Sequence, residues 1–194
     1  EKRAIELTRE KETIFAIAAE WFHAQLGAWD SKVSSFPREG AISEGLAYAR
    51  KRGFTDETIR AAALGWFAED WEGLRSFLAS RKTAVDAPAA VALIGYRGDV
   101  AAWATTHGIT PASRWVETGK IPALPPRMLI YPHVLGGRVT YLSGRRIAPE
   151  GDTPKSWNPS RELAGERQPF FNALWGPKAT SLVVVEGQAC AITL

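Results

Sequence analysis

The hydrophobic pattern of this chain changes period once, across the proline-rich stretch "IPALPP" at residues 121–126. Upstream of it, apolar residues recur three and four apart, the spacing of one helix face. Ile14, Ile17, Ala18, Trp21, Phe22 and Leu26 form the longest such set and predict a helix over the first 26 residues, its polar beginning "EKRAIELTREKE" exposed. Downstream, "MLIYPHV" and "RVTYLSG" are runs of strand character on either side of Leu135-Gly136-Gly137, a short loop suited to a β-hairpin. A third pattern closes the chain: Leu182 to Val185 reads as a buried strand, and "QACAITL" after it begins a helix without any stop signal. Helices first, then a small antiparallel sheet, then a new β-α start predict an α+β domain followed by the beginning of an α/β domain. The divisions fall at residues 1–126, 127–180 and 181–194, and the last unit is expected to continue beyond Leu194.

Within the helical part, a second helix is expected from Ser43 to Arg52, with Gly53 placed to end it. Thr55 is positioned as an N-cap, and Asp56 and Glu57 complement the dipole of a third helix that stops near Gly65. "WEGLRSFLASR" gives a fourth, with Leu74, Phe77 and Leu78 on one face. "SKVSSFPREG" is a loop, "DVAAWATTHGI" is helical, and the polar, turn-rich run from Ala148 to Pro169 is a long loop or extended segment. Trp66, Trp71 and Trp103 lie on helical patterns and are expected in the core. His23, His107 and His133 show no metal-ligand spacing.

Charge narrows the function. Residues 1–126 hold equal numbers of basic and acidic residues, whereas residues 127–178 hold eight Lys/Arg against four Asp/Glu. The whole basic excess of a chain with net charge +3 therefore sits in one segment, a distribution that attracts phosphates locally. The single cysteine, Cys190, excludes an internal disulfide or a cysteine-rich metal site and points to a reducing, cytoplasmic setting. No apolar run approaches the roughly 20 residues of a membrane span, so no membrane partner is expected.

Several segments together resemble the bacterial DnaG-type primase catalytic core. "GLAYARKRGFTDETIRAAALGWF" is similar to the family's "YLxxRGhxxETIxxFxLGY", and "AAEWFHAQL" to its "AAxFYxxxL". "PRMLIYPH" followed by "GRVTYLSGRRI" resembles "RxMFPIxDxxGxVxGFGGR", and "TPKSWNPS" resembles "PKYLNSPE". "VVVEGQACAITL" resembles "VVVEGYMDVIAL", the opening of the TOPRIM domain. The matches keep the family's order over residues 17–78 and 127–194 and leave 86–126 unmatched.

The resemblance implies a fragment of an enzyme that makes short RNA primers on a single-stranded DNA template from ribonucleoside triphosphates. It implies that Glu186 is the TOPRIM glutamate, a general base or a ligand of catalytic Mg2+ or Mn2+, with Gly187 allowing close backbone approach. The remaining metal carboxylates would lie beyond Leu194, so this stretch alone is not expected to polymerise. Zinc would belong only to a domain preceding Glu1, and the replicative helicase would bind a domain that follows. Arg127, Arg145, Lys155 and Asn158 fall on the family's motif positions, and Arg146 and Trp157 stand beside them. As a set they are candidates for gripping nucleic acid: arginine holds phosphate bidentately, lysine as a point charge, and Trp157 can stack on a base. Gly144 is a candidate for close backbone approach. Cys190 replaces a family Asp, the family's Asp after the "FPI" strand has no counterpart near Leu135, and Ser143-Gly144-Arg145 stands for Gly-Gly-Arg. These departures keep a second reading open, a non-catalytic module with a degenerate TOPRIM that binds single-stranded DNA or a partner protein. A third class, TOPRIM nucleases and topoisomerases, lacks the upstream helices and the "PKxxN" loop.

Overall fold

In the computed structural model the described residues are 2–27, 43–149, 151–165 and Ile192. Helix α1 (Lys2–Leu26) begins polar and then buries Ile14, Phe15, Ala18, Trp21, Phe22 and Leu26 along one continuous stripe. Helix α2 (Glu44–Lys51) starts where the Ser43 hydroxyl accepts from the Leu46 N–H at 3.0 Å, and α3 (Asp56–Ala61) where Thr55 does the same for Thr58 at 3.1 Å. A bidentate Arg50–Asp56 pair, at 2.9 and 2.8 Å, ties α2 to α3.

Helix α3 ends earlier than its sequence suggests. Ala63 adopts a left-handed φ of +48°, and Gly65–Phe67 then forms strand β1. The turn is enforced by packing: a Cβ on Gly65 would lie 2.4 Å from the Phe22 Cβ, so α1 presses directly on this backbone. Trp66 is buried on a strand rather than on a helix.

Helix α4 (Trp71–Ser80), capped by Asp70, buries Leu74 and Leu78 with Phe77 half-buried beside them. Helix α5 (Pro88–Ile94) is apolar throughout and buried at every position after Pro88. A two-stranded ribbon pairs β2 (Tyr96–Arg97) with β3 (Lys120–Ile121), and between them run α6 (Val100–His107) and α7 (Ser113–Thr118).

Strands β4 (Met128–Leu135) and β5 (Arg138–Arg146) form the expected hairpin. Its two-residue turn has φ of +58° at Gly136 and +76° at Gly137, both in the region that glycine enters without strain. The polar run after β5 is not uniformly irregular: it contributes strand β6 (Ser156–Trp157) and helix α8 (Arg161–Ala164). The four-stranded sheet has the order β1-β4-β5-β6, antiparallel at each pairing, and draws β1 from far upstream.

One sheet face, carrying Phe67, Met128, Ile130 and Leu142, packs on α1, α4 and α5. Four rings stack edge-on or tilted there, with Phe22–Phe67 at 5.8 Å and Phe67–Trp71 at 5.5 Å. The opposite face, with Trp66, Leu129 and Tyr131, is covered by α2 and α3, and Ile192 packs partly buried against it. A third cluster joins α5, α6, α7 and α8 around Val91, Trp103, Trp115 and Leu163. The small antiparallel sheet among helices is the expected α+β architecture; the strand and helix expected after residue 181 lie outside the described residues, except for Ile192. No helix among the described residues is long and apolar enough to cross a membrane.

Candidate nucleic-acid interface

The cations predicted from sequence lie at one end of the four-stranded sheet. Arg127 sits just before β4, Arg145 and Arg146 end β5, and Lys155 immediately precedes β6. Backbone hydrogen bonds fix them relative to one another. The Arg146 N–H donates to the Lys155 carbonyl at 2.8 Å, and the Ile147 N–H to the Arg127 carbonyl at 3.2 Å. Gly144 faces Trp157 and Arg145 faces Ser156 across β5 and β6. The Tyr141 hydroxyl then holds the Pro159 carbonyl at 3.2 Å, so the segment Lys155–Pro159 is anchored along the sheet edge.

These cations differ in what already engages them. The Arg127 guanidinium is held bidentately by Glu44 at the start of α2, and its backbone has a φ of +57°. Arg138, at the far end of the hairpin, pairs with Glu12 of α1 at 3.2 Å. Acids from the first third of the chain thus neutralise two cations of the basic segment. Arg145, Arg146 and Lys155 have no salt bridge among the described residues, and the Nε atoms of both arginines are buried without an acceptor. A buried donor with no acceptor is costly, and an anion supplied from outside relieves that cost.

The remaining candidates divide. Lys155 and Asn158 are exposed. Trp157 is half-buried against the larger core cluster, so packing covers part of the ring that was expected to stack. Gly144 is buried, and a Cβ there would come within 3.3 Å of Ile130 and 3.4 Å of Met128, both at the tips of side chains. Glu186 and Gly187 lie outside the described residues.

Arg52 and Tyr131, which the sequence did not single out, join the site. Arg52 and Arg145 both act electrostatically on Tyr131 from its surroundings. Burial pushes the Tyr131 phenol up to about 12, the Tyr48 phenol adds to this, and the two guanidinium groups oppose it. The only sequence signal for Arg52 is the run Arg50-Lys51-Arg52 at the end of α2. His133 and Ser143, buried side by side, share a 2.8 Å hydrogen bond. His23 bonds the Leu64 carbonyl at 2.6 Å and His107 the Trp103 carbonyl at 2.9 Å, as expected of structural histidines. No group of three or more His, Cys, Asp or Glu among the described residues could hold a metal ion, and Glu186, the expected ligand of Mg2+ or Mn2+, lies outside them.

This antiparallel sheet with helices on both faces has the DnaG-type primase fold. It is shared with the RNA polymerase domain of Mycobacterium tuberculosis primase DnaG, solved with a double-stranded DNA oligomer carrying a 6-nucleotide overhang. That likeness has a TM-score of 0.50 at 15% identity and covers 80% of this chain and 40% of that one. The Aquifex aeolicus primase, solved with its zinc-binding and RNA polymerase domains, aligns at 18% identity with a TM-score of 0.46, over 80% of this chain and 30% of that one. A DnaG primase catalytic domain bound to single-stranded DNA aligns at 16% identity with a TM-score of 0.47, over 80% and 39%. This chain thus spans well under half the length of each. No family model and no curated protein matches it.

Proposed function

We propose that this chain is the template-holding part of a DNA primase core, and that it presents single-stranded DNA to a nucleotidyl-transfer centre completed by residues beyond it. The observation that carries the reading is the convergence of Arg145, Arg146 and Lys155 on one sheet end with no salt bridge among the described residues, within a primase fold. Arg145 and Arg146 grip template phosphates, Lys155 adds a point charge, and Asn158 bonds a sugar or a base edge. Arg127, already engaged by Glu44, braces α2 against the start of β4 instead of meeting DNA.

Synthesis of RNA primers from ribonucleoside triphosphates, and the part played by Glu186 with Mg2+ or Mn2+, are the finer claims of this reading. They rest on the resemblance of "VVVEGQACAITL" to the TOPRIM opening. Zinc and helicase binding belong to other parts of the parent protein under the same reading.

The test uses the complete protein that carries this sequence. Labelled ribonucleotides are supplied on single-stranded DNA with Mg2+ or Mn2+, comparing wild type, Glu186→Gln and Arg145→Ala/Arg146→Ala. Primers from wild type, none from Glu186→Gln despite unchanged DNA binding, and weakened DNA binding in the double variant are expected. Absence of primers from wild type, with DNA still bound, would replace the enzyme by a non-catalytic binding module, the alternative that Cys190 in place of an acid favours.

A further inference from the structure

A large concavity, to which β5 and β6 contribute no lining residue, lies mostly in the region that the primase-like motifs leave unmatched. It is a cleft of about 970 Å3 between α4, the end of α5, the β2–β3 ribbon and α7. That volume falls in the range of sites for small organic ligands. Its wall is apolar, built from Ile94, Ile121 and Leu124, with Pro122 and Pro125 beside them and the half-buried ring of Tyr96.

The charges around this wall are arranged at a cost. Arg97 and Lys120 are direct cross-strand partners in the ribbon, and like charges in that position repel. Both line the cleft, as does Arg114 of α7. None of the three has a salt bridge or a side-chain hydrogen bond among the described residues. Trp115, next to Arg114 and also lining the cleft, is only 3% exposed, yet its indole N–H has no acceptor. Three exposed cations and a buried, unanswered donor around one apolar concavity describe a receptor for an anion joined to a flat apolar group. Asp86, in the same lining, offers an acceptor for a hydroxyl or amino group, while Glu72 pairs with Arg75 at 3.6 Å.

We propose that this cleft binds a nucleoside phosphate, with its phosphates on Arg97, Arg114 and Lys120 and its base against the Tyr96–Pro122 wall. The site is separate from the β5–β6 interface and does not depend on the primase reading. It is a ligand site of the helical part of the chain, suited to sensing nucleotide.

Equilibrium dialysis of labelled ATP and GTP against the complete protein tests this, with EDTA present so that a metal-dependent catalytic centre does not contribute. Saturable binding by wild type is expected, weakened about tenfold or more in Arg97→Ala/Lys120→Ala and also weakened in Arg114→Ala. Affinity for single-stranded DNA should stay within about twofold in both variants, since Arg145 and Arg146 are untouched. Removing the facing charges should leave the melting temperature of the double variant at or above wild type, and Arg114→Ala supplies an independent variant on another element. The proposal is overturned by absence of saturable binding in wild type, or by equal nucleotide affinity in all three proteins. Displacement by inorganic triphosphate as effective as by ATP would reduce the site to an anion hole and refute the base contact. Loss of DNA affinity in the variants would make the cleft a nucleic-acid surface and refute the small-molecule site.

Discussion

Replacing Gly65 by alanine probes the contact that turns the chain from α3 into β1. The added Cβ would stand 2.4 Å from the Phe22 Cβ, 2.9 Å from the Phe22 carbonyl carbon and 3.2 Å from the His23 nitrogen. Carbon atoms pack at about 3.5–4.0 Å, so α1 and β1 must separate by about an ångström or more. None of these atoms is the tip of a rotatable side chain, and the movement would open the ring stack of Trp21, Phe22 and Phe67. Overpacking of this kind costs about 1–3 kcal/mol, and the rigidity of the neighbours puts Gly65→Ala near about 3 kcal/mol. Gly53→Ala is the control: its φ is +86° but a Cβ there meets nothing within 4 Å, so its cost is the backbone strain of about 1 kcal/mol. Urea denaturation followed by tryptophan fluorescence measures both against wild type. A loss at Gly65 no greater than that at Gly53 would refute the argument that α1 defines the strand by contact.

Three other outcomes follow from the same structure. In titrations of single-stranded DNA against salt, Arg145→Ala/Arg146→Ala should lower the log–log slope by about 1.4, at ~0.7 per phosphate contact, while Arg127→Ala leaves it unchanged; equal slopes for the two would undo the distinction drawn from Glu44. Tyr131 binds its proton more tightly folded than unfolded, so its contribution is complete below pH 10 and is lost as pH rises towards about 12. Stability should therefore fall by up to ~1.4 kcal/mol per pH unit in that window, and Tyr131→Phe should flatten the fall in denaturant melts between pH 9 and 12. Ser43→Ala removes the cap of α2, which accepts from Leu46 at 3.0 Å, and should cost about 1 kcal/mol by the same melts.

What the sequence disclosed depended on whether local rules decided the outcome. Thr55 as a cap, the ends of α2 and the Gly136-Gly137 turn were legible because each is governed by residues a few positions apart. Strand β1 was not: "IRAAALGW" has strong helical propensity, and the pressure of Phe22 on Gly65 comes from over forty positions away. Helix α5 hid for a different reason, since "AAVALI" is buried on all sides and shows no period. At the interface, charge composition singled out the segment holding Arg145, Arg146 and Lys155. It could not separate these from Arg127, because that depends on Glu44, a residue 83 positions away. Arg52 and the Arg97–Lys120 pair were equally hidden, since both enter their sites only through tertiary pairing.

The β2–β3 ribbon has a bearing on how chains of this architecture diversify. Gly98 and Gly119 are joined by a 3.0 Å backbone hydrogen bond, so the chain leaves for α6 and returns from α7 at the same place. Doubling the length of such a closed excursion raises its closure entropy by only about 0.6 kcal/mol. None of the strands of the four-stranded sheet lies between residues 98 and 119, and the excursion meets the rest of the chain through the core that Trp103 and Trp115 share with α5 and α8. A segment attached in this way can be enlarged or shortened on its outer side, so long as that core is kept, while the sheet end that holds Arg145 and Arg146 keeps its register. The ribbon is thus a splice point, where new binding properties can be added to an old scaffold.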